Sequence, residues 1–187
     1  MKKIILTLSL TLLPIISHTD SKPDISGIIT LMGYNNFAHA CPVNDGNVYT
    51  AGHVVRADKD SNYPVFFTWS DGRGGEGIAE PLMINNYRDL GTINIISGNP
   101  AYYRKSLFRP EKNEKVYWAQ FDEKTFQSEI ASGKVDHFIA GYVFFKGIPL
   151  PGASGSCLLN QYGQAIGVVV WHTSRGNEHF GAATLFN

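Results

Sequence analysis

The sequence predicts an all-β protein, a sandwich or barrel of short strands, and three observations carry that expectation. Short apolar runs rich in β-branched and aromatic residues recur along the chain. Turn residues separate them, and the 19 glycines suit a chain that reverses direction often. No stretch keeps a long helical apolar period, and there is no repeat, heptad or low-complexity tract.

Taken in order, the first set of strands is Ile28 to Met32, Phe37 to Pro42, Val48 to Ala51, Pro64 to Trp69, Gly77 to Ile84 and Leu90 to Ile96. Asp45-Gly46 marks a tight turn within it, and Ser70-Asp71-Gly72 closes the fourth run. The second set is Val116 to Phe121, Phe126 to Ile130, Phe138 to Phe145, Ser156 to Leu159, Ala165 to Trp171 and Phe180 to Phe186. Between the sets runs a polar stretch, Ser97 to Lys115, with prolines at Pro100 and Pro110. It reads as a linker over 98–114, dividing a first lobe (20–97) from a second (115–187).

Residues 1–19 read as a segment outside this fold. Lys2 and Lys3 precede an apolar run from Ile4 to Ile16, and small polar residues follow at Ser17 and Thr19. That is the layout of a secretory signal peptide. The run is too short to span a bilayer as a helix, which needs about 20 residues. The expectation is therefore a secreted or periplasmic protein with no stable membrane anchor. Export bears on Cys41 and Cys157, the two cysteines. An oxidising compartment favours a disulfide between them, the alternative being two buried thiols that never meet.

Charge narrows the partners. Sixteen basic residues balance sixteen acidic ones, which argues against nucleic acid, since that partner calls for a basic excess or stripe.

Three short motifs carry chemistry: Thr50-Ala51-Gly52-His53, Arg88-Asp89-Leu90-Gly91 and Pro151-Gly152-Ala153-Ser154-Gly155-Ser156. A serine hydroxyl becomes a good nucleophile only when a base takes its proton. A carboxylate beside that base fixes its tautomer and stabilises the imidazolium that forms. Singly, a serine between glycines is a turn, an Asp before Leu-Gly a loop cap, and a histidine among small residues a core side chain. Together, with His53 and Asp89 in the first lobe and Ser154 in the second, they describe a site in the cleft between lobes.

With these motifs and the late run Gly167 to His172, the chain resembles the chymotrypsin-like (trypsin-fold) serine endopeptidases, especially their compact bacterial and viral branch. The order His, Asp, Ser separates it from the α/β-hydrolases, which run Ser, Asp, His and carry G-x-S-x-G. Ser156 stands where that motif needs its last glycine. The resemblance implies two packed six-stranded antiparallel barrels with the active site between them. It implies Ser154 as nucleophile, His53 as base, Asp89 as orienting carboxylate, and the N–H groups of Gly152 and Ser154 as oxyanion hole. It places Val170, Trp171 and His172 on the edge that pairs with the substrate backbone, with Trp171 as a cleft wall or plain core packing. His172 and His179 flank the last pocket loop, where a histidine could read a Glu or Gln side chain.

The chain departs from the family pattern at three positions. Ala153 replaces the acid or Asn before the nucleophile; alanine cannot pair with a new amino terminus, so export processing alone should suffice for activity. Val170 stands where the family often has a serine that helps hold the triad aspartate. Ile148 stands where trypsin carries its acid, so a preference for Arg or Lys at the cut site is not expected.

A metal site fits poorly. His39, Cys41 and His53 are near one another in sequence, yet no third ligand on the His39–Cys41 strand face and no C-x-x-C or H-E-x-x-H completes one. The expectation is a monomeric serine endopeptidase without metal or cofactor, acting on peptide or protein substrates. The alternative is a catalytically silent homologue that binds peptides or a partner in the same cleft.

Overall fold

A computed structural model describes residues 22–25, 28–32, 37–56, 63–68, 74–98, 100–122, 124–125 and 127–186. The expected signal peptide, residues 1–19, lies outside the described residues. Among the described residues no helix is long and apolar enough to cross a membrane.

The first half holds β1 (Ile29–Met32), β2 (Phe37–Pro42), β3 (Val48–Ala51), a one-turn helix α1 (Gly52–Arg56), β4 (Tyr63–Thr68), β5 (Gly74–Asn85) and β6 (Leu90–Ser97). The second half holds β7 (Lys115–Asp122), β8 (Gln127–Ile139), β9 (Tyr142–Lys146), β10 (Cys157–Asn160), β11 (Ala165–Arg175) and β12 (Glu178–Leu185). Each half closes into an antiparallel barrel, ordered β1-β2-β3-β6-β5-β4 and β10-β11-β12-β9-β8-β7. The β1–β4 and β10–β7 pairings close them. Among the described residues, closure leaves no strand unpaired along its whole length. The two-barrel expectation stands.

One pair of elements differs from the sequence reading. Strands at Phe126 to Ile130 and Phe138 to Phe145 are instead a 13-residue β8 and a separate β9. Ala140 and Gly141, both with positive φ (48° and 87°), make the two-residue turn between them. The polar residues Ser132, Lys134 and Asp136 alternate along β8 and interrupt its apolar run, so the strand is not legible as one element.

Among the described residues, two larger apolar clusters frame the second barrel and its junction with the first. Val116, Trp118, Val135, Val143, Phe145, Leu158, Ile166 and Val169 fill the second barrel. Cys41, Val43, Ala51, Tyr117, Ala119, Cys157, Leu159, Val168 and Val170 form the layer where the two barrels meet. Strands β7 and β11 contribute alternate residues to both layers, which is why they read as nearly continuous apolar runs. Cys41 on β2 and Cys157 on β10 are joined by a disulfide within that layer, 116 residues apart in sequence. The bridge expected from export is present.

Candidate active site

Strand β3 pairs with β6 through Thr50↔Gly91 and Ala51↔Leu90. That register sets the start of α1 against the residue before β6, which is Asp89. Gly52 N–H donates to the Asp89 carbonyl at 2.8 Å. A Cβ at Gly52 would lie 3.0 Å from the Asp89 carbonyl carbon and carboxylate, a tight contact that glycine avoids. The Asp89 carboxylate then accepts twice from the next residue. One oxygen takes the His53 backbone N–H (2.8 Å) and the other takes His53 Nδ1–H (2.7 Å). Arg56 Nη2 lies 3.6 Å from the first of these oxygens.

Because a carboxylate only accepts, its bond fixes the proton on Nδ1 and leaves the Nε2 lone pair free. The imidazole is 45% exposed and the carboxylate 21%, so the ring is open to solvent while its partner is more sheltered. Nε2 makes no hydrogen bond among the described residues. Asp89 itself sits at φ 45°, a conformation that Asp tolerates better than bulkier residues.

Contacts from the second barrel hold the loop that carries Asp89. Thr184 on β12 donates its hydroxyl to the Arg88 carbonyl at 2.5 Å. The Arg88 guanidinium donates back to the Leu185 carbonyl. Tyr142 adds a bond to the Tyr87 carbonyl at 3.1 Å. These residues are missed in the sequence, where nothing near Thr184 or Tyr142 signals a partner so far back along the chain. They hold the aspartate's backbone from the second barrel, whereas the serine missing at Val170 would have held its carboxylate. Val170 is only 1% exposed and packs in the inter-barrel layer, so its side chain lines no cleft.

Two consecutive turns form the loop that carries Ser154, which is the second residue of the later one. Ala153 N–H bonds to the Leu150 carbonyl and Ser156 N–H to the Ala153 carbonyl, each at 3.0 Å. Gly152 (φ 87°) and Gly155 (φ 84°) occupy the third position of each turn, as a type II turn requires. Gly155 is demanded twice over, since a Cβ there would sit 1.8 Å from the His39 carbonyl oxygen. Ser154 is thereby placed at a corner, half-buried. Its carbonyl accepts the His39 backbone N–H at 2.8 Å. The N–H groups of Gly152 and Ser154 carry no hydrogen bond among the described residues. Ser156, by contrast, is fully buried, its hydroxyl accepting from Ala119 N–H at 2.8 Å.

The strand beside this loop offers an edge. Strand β11 leaves its β10 partner at Val168 and bulges at Val170. From Trp171 to Arg175 it pairs with β12 alone among the described residues. Trp171 is 39% exposed and packs edge-on against Phe144 and Tyr142. His172 pairs with Gly181, and Ser174 with His179, which sets His172, Ser174 and His179 on one face of the hairpin. His179 Nδ1 is hydrogen-bonded to the Ser174 hydroxyl at 2.9 Å. Ile148 and Leu150 present half-exposed apolar side chains ahead of the Ser154 loop.

The residues weighed as metal ligands are otherwise engaged. Cys41 is in the disulfide, and both ring nitrogens of His39 are hydrogen-bonded. Among the described residues no cluster of three His, Cys, Asp or Glu side chains could hold a metal.

Comparisons with known proteins agree with the two-barrel architecture. The chain is similar in structure to Rv3671c from M. tuberculosis H37Rv in an inactive form, with a TM-score of 0.69 at 13% identity, over 89% of this chain and 90% of that one. The MamO protease domain from Magnetospirillum magneticum gives 0.68 at 15%, over 86% and 92%. A serine protease of human pathogenic astrovirus gives 0.65 at 15%, over 89% and 93%. At such identities these likenesses speak for the fold alone. No curated protein matches the sequence. The family model described as trypsin-like peptidase domain does, over residues 37–168, a span that holds His53, Asp89 and Ser154. With this match over most of its length, and a chymotrypsin-like pair of barrels beneath it, the chain belongs to the trypsin-like peptidase family.

Proposed function

We propose that this protein is an exported serine endopeptidase that cleaves peptide bonds through a Ser154–His53–Asp89 triad and an acyl-enzyme. The observation that carries this reading is the two-point grip of Asp89 on His53, which leaves Nε2 as the free basic atom. His53 Nε2 takes the Ser154 proton as Oγ attacks the scissile carbonyl. The developing oxyanion is received by the Gly152 and Ser154 N–H groups, each such donor typically contributing about 3 kcal/mol in the transition state. The imidazolium then gives its proton to the leaving amine. Water, deprotonated by the same Nε2, frees the acyl group and restores Ser154. A substrate strand adds to the open edge of β11 at Trp171–Arg175. The disulfide supports an oxidising compartment, in keeping with the signal-like amino terminus.

The second reading, a silent peptide binder, draws on that same open edge, which can hold a peptide without cleaving it. Labelling with a fluorophosphonate probe separates the two. An endopeptidase labels in the wild type, and Ser154→Ala and His53→Ala abolish labelling while the proteins stay folded. Folded wild-type protein that takes no label refutes the triad and leaves the binder.

A further inference from the structure

We propose that His39 is a positioning residue for this reaction: from the first barrel it grips the carbonyls of Gly152 and Ser154 and so sets the nucleophile loop for oxyanion binding. The inference rests on the serine-protease reading above and adds a residue that the triad does not use.

His39 lies on β2, fully buried. Three of its polar groups serve the loop. Its backbone N–H donates to the Ser154 carbonyl (2.8 Å), and its ring Nδ1 lies 2.5 Å from the Gly152 carbonyl. Its own carbonyl accepts the Thr50 hydroxyl at 2.8 Å and lies directly beneath Gly155. The residues held by their carbonyls are the two whose N–H groups form the proposed oxyanion hole. Gly152 has no Cβ to limit its rotation and sits at φ 87°, so its peptide orientation needs an external anchor. Ala153 offers no side-chain anchor of its own. The ring of His39 supplies one.

A third element supports the ring from its other side. Ser128 at the start of β8 lies with its hydroxyl 2.9 Å from His39 Nε2. The Gly152 carbonyl can only accept, so Nδ1 carries the proton, and Nε2 accepts from Ser128. With the proton on Nε2 instead, two lone pairs would face each other across the Nδ1–Gly152 contact. Burial holds the His39 ring neutral, its pKa lowered to about 4 with a partial offset from the Gly152 bond. The ring therefore has one proton, the Gly152 carbonyl places it on Nδ1, and the Ser128 hydroxyl supports Nε2 by donating to it.

Three variants and two readouts test the proposal. His39→Leu removes the donor, His39→Asn keeps a donor near the Nδ1 position, and exposed Ser128→Ala removes the hydroxyl that supports Nε2 while sparing the core. The first readout is peptide hydrolysis, split into kcat and KM. The second is amide hydrogen exchange over residues 150–156, which reports the loop whether or not the protein turns over. We expect His39→Leu to lower kcat about 10²–10³-fold, the cost of a lost oxyanion donor, with KM within about threefold. His39→Asn recovers most of that loss, Ser128→Ala falls between, and exchange over 150–156 quickens in the same rank order. A folded His39→Leu with wild-type kcat, or with exchange unchanged over 150–156, overturns the proposal. If His39→Leu does not fold, Ser128→Ala decides alone: unchanged kcat and unchanged exchange overturn it. Quickened exchange in a wild-type background that never turns over supports the clamp and refutes the catalytic reading instead.

Discussion

Acid should loosen this protein through His39, by an amount the structure allows to be worked out. The imidazole is fully buried, and its pKa falls from 6.5 to about 4 in the fold because burial disfavours the cation. Between those values the unfolded chain binds one more proton than the native one, so stability rises with pH there. The neutral ring's full contribution is present above pH 6.5 and is lost as pH falls toward 4. Each pH unit crossed within that window costs about 1.36 kcal/mol, so lowering the pH from 7 to 5 costs about 2 kcal/mol. Continuing to pH 4 brings the loss to about 3 kcal/mol. The assay is urea unfolding of wild type and His39→Asn across pH 4–7. His39→Asn destabilises at pH 7, and its deficit relative to wild type should shrink by about 2–3 kcal/mol at pH 4, because asparagine does not titrate. Other groups titrate in this range, but they cancel in that difference. A deficit that stays constant to within about 0.5 kcal/mol would refute a buried neutral His39.

Two further outcomes test the site and the frame around it. Asp89→Asn keeps the shape of the His53 contact but can offer an amide donor to Nδ1, favouring the wrong tautomer, so kcat should fall about 10⁴-fold with little change in KM. A loss below about tenfold in steady-state hydrolysis would mean that Asp89 does not orient His53. Removing the Cys41–Cys157 bridge in a double serine variant frees a loop of 116 residues, which chain entropy values at about 5 kcal/mol. Calorimetry should show a marked drop in Tm, and a variant that melts with the wild type would show that the bridge contributes nothing to stability.

Short-range features of this protein are written in its sequence. Strand runs such as Val48–Ala51 and Cys157–Asn160 follow from local apolar and β-branched composition, and the turns beside them from Asp45-Gly46 and Pro151-Gly152. The three motifs are legible for the same reason, since each sets a reactive side chain beside glycines whose role is local. Strand β8 escapes because its polar residues break the apolar run and only pairing with β7 and β9 makes it one element. The disulfide is legible as a possibility, and the packing of β2 against β10 decides it. Thr184, Arg88 and Tyr142 have no sequence signature, because their bonds join groups 55 to 97 residues apart. His39 is the fullest case. In sequence it is one histidine near a cysteine on a strand, whereas in the fold it meets Gly152 from 113 residues away and Ser128 from 89. Periodicity and turn chemistry report on neighbours within a few residues, and only the closing of two barrels against each other brings such distant polar groups into one buried network.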